Sequence, residues 1–158
     1  MSNPINREAV KGFLLNVQDR LIKDLQALPT EKQNTSPMGA GRTPLHIVAE
    51  CGWVNQRLAT VLSTGTAPPH PAPEERNALL NTYDTEEKAL TYLQASTQEV
   101  LEALYALPEE RLAETTEFPF GRPITLLFLA QFAAIHLMYH DGQLNYIHTL
   151  YGDTETHW

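Results

Sequence analysis

A single cysteine in 158 residues excludes an intramolecular disulfide framework and every multi-cysteine zinc or iron–sulfur centre. Positive charge is scarce as well. Eleven Lys and Arg stand against nineteen Asp and Glu, a net charge of −8. Such a chain repels phosphate backbones and anionic headgroups, so no nucleic acid and no membrane surface is expected as a partner. The longest apolar run, Ile124 to Tyr139, is broken by Thr125, Gln131 and His136, and it falls short of the ~20 residues that a membrane span needs. The opening MSNPINREAVKGFLL has neither a basic n-region nor a small-residue cleavage site. It predicts no secretory signal and a cytoplasmic protein. Walker, GxGxxG and GxSxG motifs are missing, which leaves nucleotide, dinucleotide and α/β-hydrolase chemistry unsupported. No stretch alternates with period two, so a sheet is not expected.

What is present is ordinary globular material, 42% hydrophobic and 19% charged. The length fits one domain over residues 1–158. Four segments carry helical periodicity. In Asn6 to Leu28, Val10, Phe13, Leu14, Val17, Leu21, Leu25 and Leu28 form one apolar stripe, and Pro29 ends it. Thr43 as N-cap and Pro44 at the first helical position open the second helix. It runs to about Leu62, with Leu45, Val48, Ala49, Leu58, Val61 and Leu62 as core. Four prolines from Pro68 to Pro73 then predict a stiff polyproline-like connection. The third helix, Asp84 to Leu107, starts with capping-box spacing between Asp84 and Glu87. Leu90, Leu93, Val100, Leu101, Leu104 and Leu107 form its stripe. Its excess of acidic residues reads as a solvated face. TTEFPFGRP predicts a turn or small hairpin, and the fourth helix runs from about Ile124 to Tyr151. The expected fold is an all-α four-helix bundle with a long crossover connection between helices two and three.

Chemistry must rest on imidazole and carboxylate. His136 and His140 are four apart, so both rings share one face of the most apolar helix. They are either metal ligands or paired core or surface histidines. On helix two, His46 and Glu50 share a face in the same way, with Trp53 continuing it. Glu50 lies in the apolar stretch IVAECGWV, where a carboxylate needs a cation. The cation is either a metal or the guanidinium of Arg42 or Arg57. Gln143, one turn past His140, is placed to hydrogen-bond an imidazole or a ligand. Gly142 would permit a close helix approach, and Asp141 falls on another face. Cys51 reads as a small buried hydrophobe, and His70, His148 and His157 as surface or loop residues without partners at ligand spacing.

His136-Leu-Met-Tyr-His140-Asp141-Gly142-Gln143-Leu144, together with a helix start at Thr43, resembles the DinB-like family of metal-binding four-helix bundles. Its last helix carries HxxxH followed by a basic or polar residue, Gly and Gln, so Asp141 is a departure. Its second helix carries a histidine seven residues after the Ser or Thr, and here that position is Glu50. The resemblance implies a metal site of Glu50, His136 and His140, with His46 as the alternative ligand. Gln143 and Trp53 would stand beside it. The implied cofactor is a divalent transition metal, Zn, Ni or Fe. The implied activity is a metal-dependent transferase-type reaction using a low-molecular-weight thiol. The alternative is a non-catalytic metal or small-ligand binding protein. A homodimer through an apolar helix face is also implied.

Overall fold

Helix starts are set by local chemistry that the sequence displays. Thr43 is extended and its hydroxyl accepts from the His46 N–H, with Pro44 opening α3 (Pro44–Thr64). Gly65, in the left-handed region, closes that helix. Thr125 caps α6 (Leu126–Leu150) through the Phe128 N–H, so Ile124 belongs to a strand rather than to the helix. The expected Asp84–Glu87 capping box does not form. Thr85 instead accepts from the Lys88 N–H, and Asp84 pairs with the Lys88 ammonium. The computed structural model describes residues 7–158; Asn6, the expected first residue of helix one, lies outside them.

Four long helices make the body: α1 (Arg7–Ala27), α3, α5 (Glu86–Ala106) and α6. Short helices α2 (Thr30–Gln33) and α4 (Pro73–Leu80) sit in the connections. A 3-10 turn, Glu109–Ala113, precedes a two-residue antiparallel ladder, β1 (Thr115–Thr116) with β2 (Ile124–Thr125). The prolines after Gly65 therefore lead into a helix as well as an extended run, because Pro73 takes the first helical position of α4. Arg57 holds the extended part by donating to the carbonyls of Pro68 and Pro69, both at 2.9 Å.

Cross-helix contacts give the directions. Gly52 meets Tyr92 and Asn55 donates to Thr97, so α3 and α5 run parallel. Glu50 faces His140 while Arg42 reaches Gln143, so α3 and α6 are antiparallel. Arg7 reaches the Leu107 carbonyl and Gln33 the Glu86 carboxylate, which makes α1 antiparallel to α5. The bundle is thus up-down-down-up. Its parallel middle pair requires the chain to return the length of the bundle, as residues 65–85 do. That return ends with Asn81 beside His46, at the start of α3.

The core is aliphatic, and the expected stripes fill it. Leu14, Leu21 and Leu25 of α1 meet Val48, Leu58 and Leu62 of α3, Leu93 and Leu104 of α5, and Leu129, Leu137 and Leu144 of α6. Phe13, expected in the α1 stripe, is 41% exposed, because the buried seam follows Val10, Leu14 and Val17 instead. The close approach of helices also falls elsewhere than expected. A Cβ at Gly142 would meet nothing within 4 Å, whereas one at Gly52 would sit 2.7 Å from the Tyr92 ring. Gly52 lets α3 and α5 come together there.

Candidate metal centre

HxxxH on α6 places two rings on one face by helix geometry alone. In the folded chain, the Nε2 atoms of His136 and His140 face each other at 3.2 Å. His140 is buried. Its Nδ1 lies 2.8 Å from the side-chain oxygen of Gln143, and Arg42 donates to that same oxygen at 3.2 Å. A guanidinium can only donate, so Arg42 fixes which end of the Gln143 amide is oxygen. The oxygen can only accept, so His140 carries its proton on Nδ1. The Nε2 lone pair of His140 is therefore turned toward His136.

Helix α3 supplies the other wall. The Glu50 carboxylate lies 3.8 Å from His140 Nε2 and is ion-paired with Arg42. Of the two cations open to Glu50 in the sequence, Arg42 is the one that meets it. Arg57 turns to the proline segment and stacks against Trp53 and Phe118. Cys51 is fully buried, as its apolar setting predicts, but its sulfur is not remote. Among the described residues, the ligating atoms of Cys51, His136 and His140 lie within 4.8 Å of one another. The sequence reading missed this position, since 100° of helix rotation separates adjacent residues and only one of Glu50 and Cys51 was expected to face α6.

The remaining expected site residues fall outside the cluster. His46 points to Asn81, with Nδ1 to Oδ1 at 3.3 Å. Trp53 packs edge-on to His70 and, with Phe132 and His136, lines a cavity of about 220 Å³. A second cavity, about 580 Å³, is lined by Arg42, Gln143, Tyr139 and Tyr146, of which Gln143 and Tyr139 touch His140.

Electrostatics keep both rings neutral. Burial pushes His136 down to about 3, with His140 and then Arg42 adding to it. Burial likewise lowers His140 to about 4; the Gln143 hydrogen bond opposes this and Arg42 reinforces it. Burial drives the Cys51 thiol well up. Neutral imidazoles, with the His140 lone pair directed at His136, are the protonation state that metal ligation needs. The 3.2 Å between the imidazoles matches the roughly 3.3 Å edge of a tetrahedron built on ~2.0–2.1 Å metal–ligand bonds, while Glu50 stands 3.8 Å from His140 and outside the 4.8 Å group that Cys51 forms with both rings. The Nδ1 of His136 is buried without a hydrogen-bond partner. The donor set therefore fits a divalent transition ion.

A sequence profile described as the DinB superfamily matches residues 14–144. The chain belongs to the DinB superfamily. No curated protein matches it. Among solved structures, this DinB chain is similar to a mycothiol-dependent maleylpyruvate isomerase, with TM-score 0.71 and 15% identity over 89% of this chain. It spans 61% of that enzyme's length. A mutant of the same isomerase matches at TM-score 0.71 and 14% identity, over 89% of this chain and 61% of its own. A conserved protein from Enterococcus faecalis matches at TM-score 0.70 and 16% identity, covering 92% of this chain and 96% of its own. At such identities these likenesses concern the DinB fold. No helix of the described residues is long and apolar enough to cross a membrane.

Two further expectations are corrected. His148 and His157 were to lack partners at ligand spacing, but each contacts the Asp153 carboxylate, and His148 is buried. Asp141 does fall on another face, yet that face is also buried. Its carboxyl lies against Asp24 of α1, and burial together with that hydrogen bond raises it well above the usual carboxylate range.

Proposed function

We propose that this DinB-superfamily chain holds a divalent transition metal, Zn, Ni or Fe, through Nε2 of His136 and His140 and the carboxylate of Glu50, and uses it in thiol-dependent transfer or isomerisation of a small molecule. The observation that carries this is the facing pair of neutral imidazoles, with the His140 lone pair fixed by Gln143. A bound metal would lower the pKa of a coordinated thiol and so supply a thiolate nucleophile at neutral pH. The chain's own groups provide the rest. Arg42 pairs with Glu50 and offers a cation to an anionic substrate in the 580 Å³ cavity. Tyr139 and Tyr146 add aromatic surface to that cavity, and Trp53 and Phe132 to the one beside His136. The mycothiol dependence of the similar isomerase supports a small-molecule thiol as co-substrate.

The test begins with the metal content of untagged protein. It should take up roughly one equivalent at this site, lost in His136→Ala and His140→Ala. A screen of low-molecular-weight thiols against common electrophiles, with the metal present, then reads turnover. Metal uptake without turnover of any pair selects the second reading, a non-catalytic metal or ligand binder. That reading is favoured by the Arg42–Glu50 ion pair at the position where the family motif has a histidine. Ile135, Met138, Tyr139, Tyr146 and Leu150 leave an exposed apolar strip on α6. We assign it to a homodimer, which light scattering after size exclusion checks.

A further inference from the structure

The C-terminal turn of α6 gathers a second set of ligating groups away from the first. Gly152 adopts a left-handed conformation (φ 86°), and the Asp153 N–H then bonds back to the His148 carbonyl at 3.0 Å. This fold-back brings Asp153 Oδ2 to 3.3 Å from His148 Nδ1 and 2.9 Å from His157 Nε2. The two rings lie 4.7 Å apart, and the ligating atoms of all three residues fall within 4.8 Å of one another. The tail beyond is anchored, with Trp158 stacked on the Arg20 guanidinium of α1 at 3.9 Å.

The setting of His148 suits it to ligation. The ring is buried, and its Nε2 lies 2.8 Å from the backbone carbonyl of Asp24. A carbonyl only accepts, so Nε2 carries a proton. Nδ1 is the atom turned on the Asp153 carboxylate, at 3.3 Å, where a proton or a metal ion can stand between them. An imidazole whose outer N–H donates to a backbone carbonyl is also the usual support of a metal-bound histidine. Asp153 is held below the usual carboxylate range by the Glu155 N–H and by His157, so it is ionised at neutral pH. The contacts of 2.9 and 3.3 Å match ligand-to-ligand edges for metal–ligand bonds of about 2.0–2.1 Å.

We propose that His148 Nδ1, Asp153 and His157 Nε2 form a second divalent transition-metal site, which clips the C-terminal tail onto α6 and α1. Two imidazoles and one carboxylate select a borderline ion such as Zn²⁺ over Mg²⁺ or Ca²⁺. Asp153 and His157 are both partly exposed, which leaves a coordination position for water. His148 lies eight residues past His140, about 12 Å along the helix, so the two sites bind independently.

Zn²⁺ titration of the untagged full chain, followed by calorimetry against a competing chelator, tests the proposal. His157→Ala and Asp153→Asn should each remove about one equivalent that His140→Ala leaves in place. These two residues lie beyond the last helix, so circular dichroism of both variants should match the parent. Long-range ¹H–¹⁵N spectra of the His140→Ala protein give a second reading. Zn²⁺ should shift the ring nitrogens of His148 and His157. The site is overturned if the parent takes up no Zn²⁺, or if both tail variants bind as much as the parent with unchanged affinity. Neither result depends on the His136–His140 site, whose loss His140→Ala reports separately.

Discussion

Replacing Gln143 by Leu is the sharpest probe of the histidine pair, because it removes the acceptor of two hydrogen bonds and leaves every expected metal ligand in place. The Gln143 oxygen accepts from Arg42 at 3.2 Å and from His140 Nδ1 at 2.8 Å. Without it, neutral His140 is free to carry its proton on Nε2, the atom that faces His136, and that tautomer cannot ligate. Loss of a group that orients a metal-bound histidine typically costs 10–100-fold in affinity, about 1.4–2.7 kcal/mol. Gln143→Glu keeps an acceptor for both donors and should hold the parent affinity or exceed it. Competition with a fluorescent zinc chelator at neutral pH reads both variants. Urea unfolding in EDTA serves as control: the bond from neutral His140 contributes about 0.5–1.5 kcal/mol and that from charged Arg42 about 1.5–3 kcal/mol, less than the ~5–15 kcal/mol of a folded domain, so Gln143→Leu should remain folded. An affinity within about threefold of the parent in Gln143→Leu, with binding abolished in His140→Ala, would refute the role given to Gln143.

Other outcomes follow from the same geometry. In metal-free protein, His136 and His140 are lowered to about 3 and about 4. Their contribution is therefore fully present above the unfolded value near 6.5 and is lost as pH falls below it. Over the ~1.5 pH units down to pH 5 the loss is on the order of 2 kcal/mol per ring, read from urea midpoints in chelator. Asp141, raised by burial and Asp24, acts in the opposite sense and gains stability as pH falls. Asp141→Asn should thus steepen the acid loss. Gly52→Ala should cost about 1–3 kcal/mol by forcing a Cβ into the Tyr92 ring. Gly142→Ala, which meets nothing, should gain about 1 kcal/mol of helix propensity, both measured by urea denaturation. Arg57→Ala removes two bonds to the Pro68 and Pro69 carbonyls, and limited proteolysis should then cut between residues 65 and 72 in a chain otherwise folded.

Helices that advertise themselves through periodicity and caps were legible: α1, α3, α5 and α6 follow the expected stripes, and Thr43 caps as expected. The short α4 was not, because a run of prolines signals extended chain until one of them takes a first helical position. Phe13 and Gly142 were misplaced for a common reason. An apolar residue or a glycine on a helix says that a face exists, but the neighbouring helix decides whether that face is covered.

The sequence by itself determined that His136 and His140 share a face, since four residues on a helix amount to about one turn. It also determined that the chain is helical. Only the tertiary structure decided what meets the histidines. The rotation of α3 against α6 brings Cys51 to both of them and Glu50 to His140, and turns His46 toward Asn81. The fold-back at Gly152 likewise joins His148, Asp153 and His157, which no helical spacing relates. Periodicity fixes angles within one helix. The register between helices and the path of a tail depend on packing many residues at once, and no short stretch of sequence encodes them.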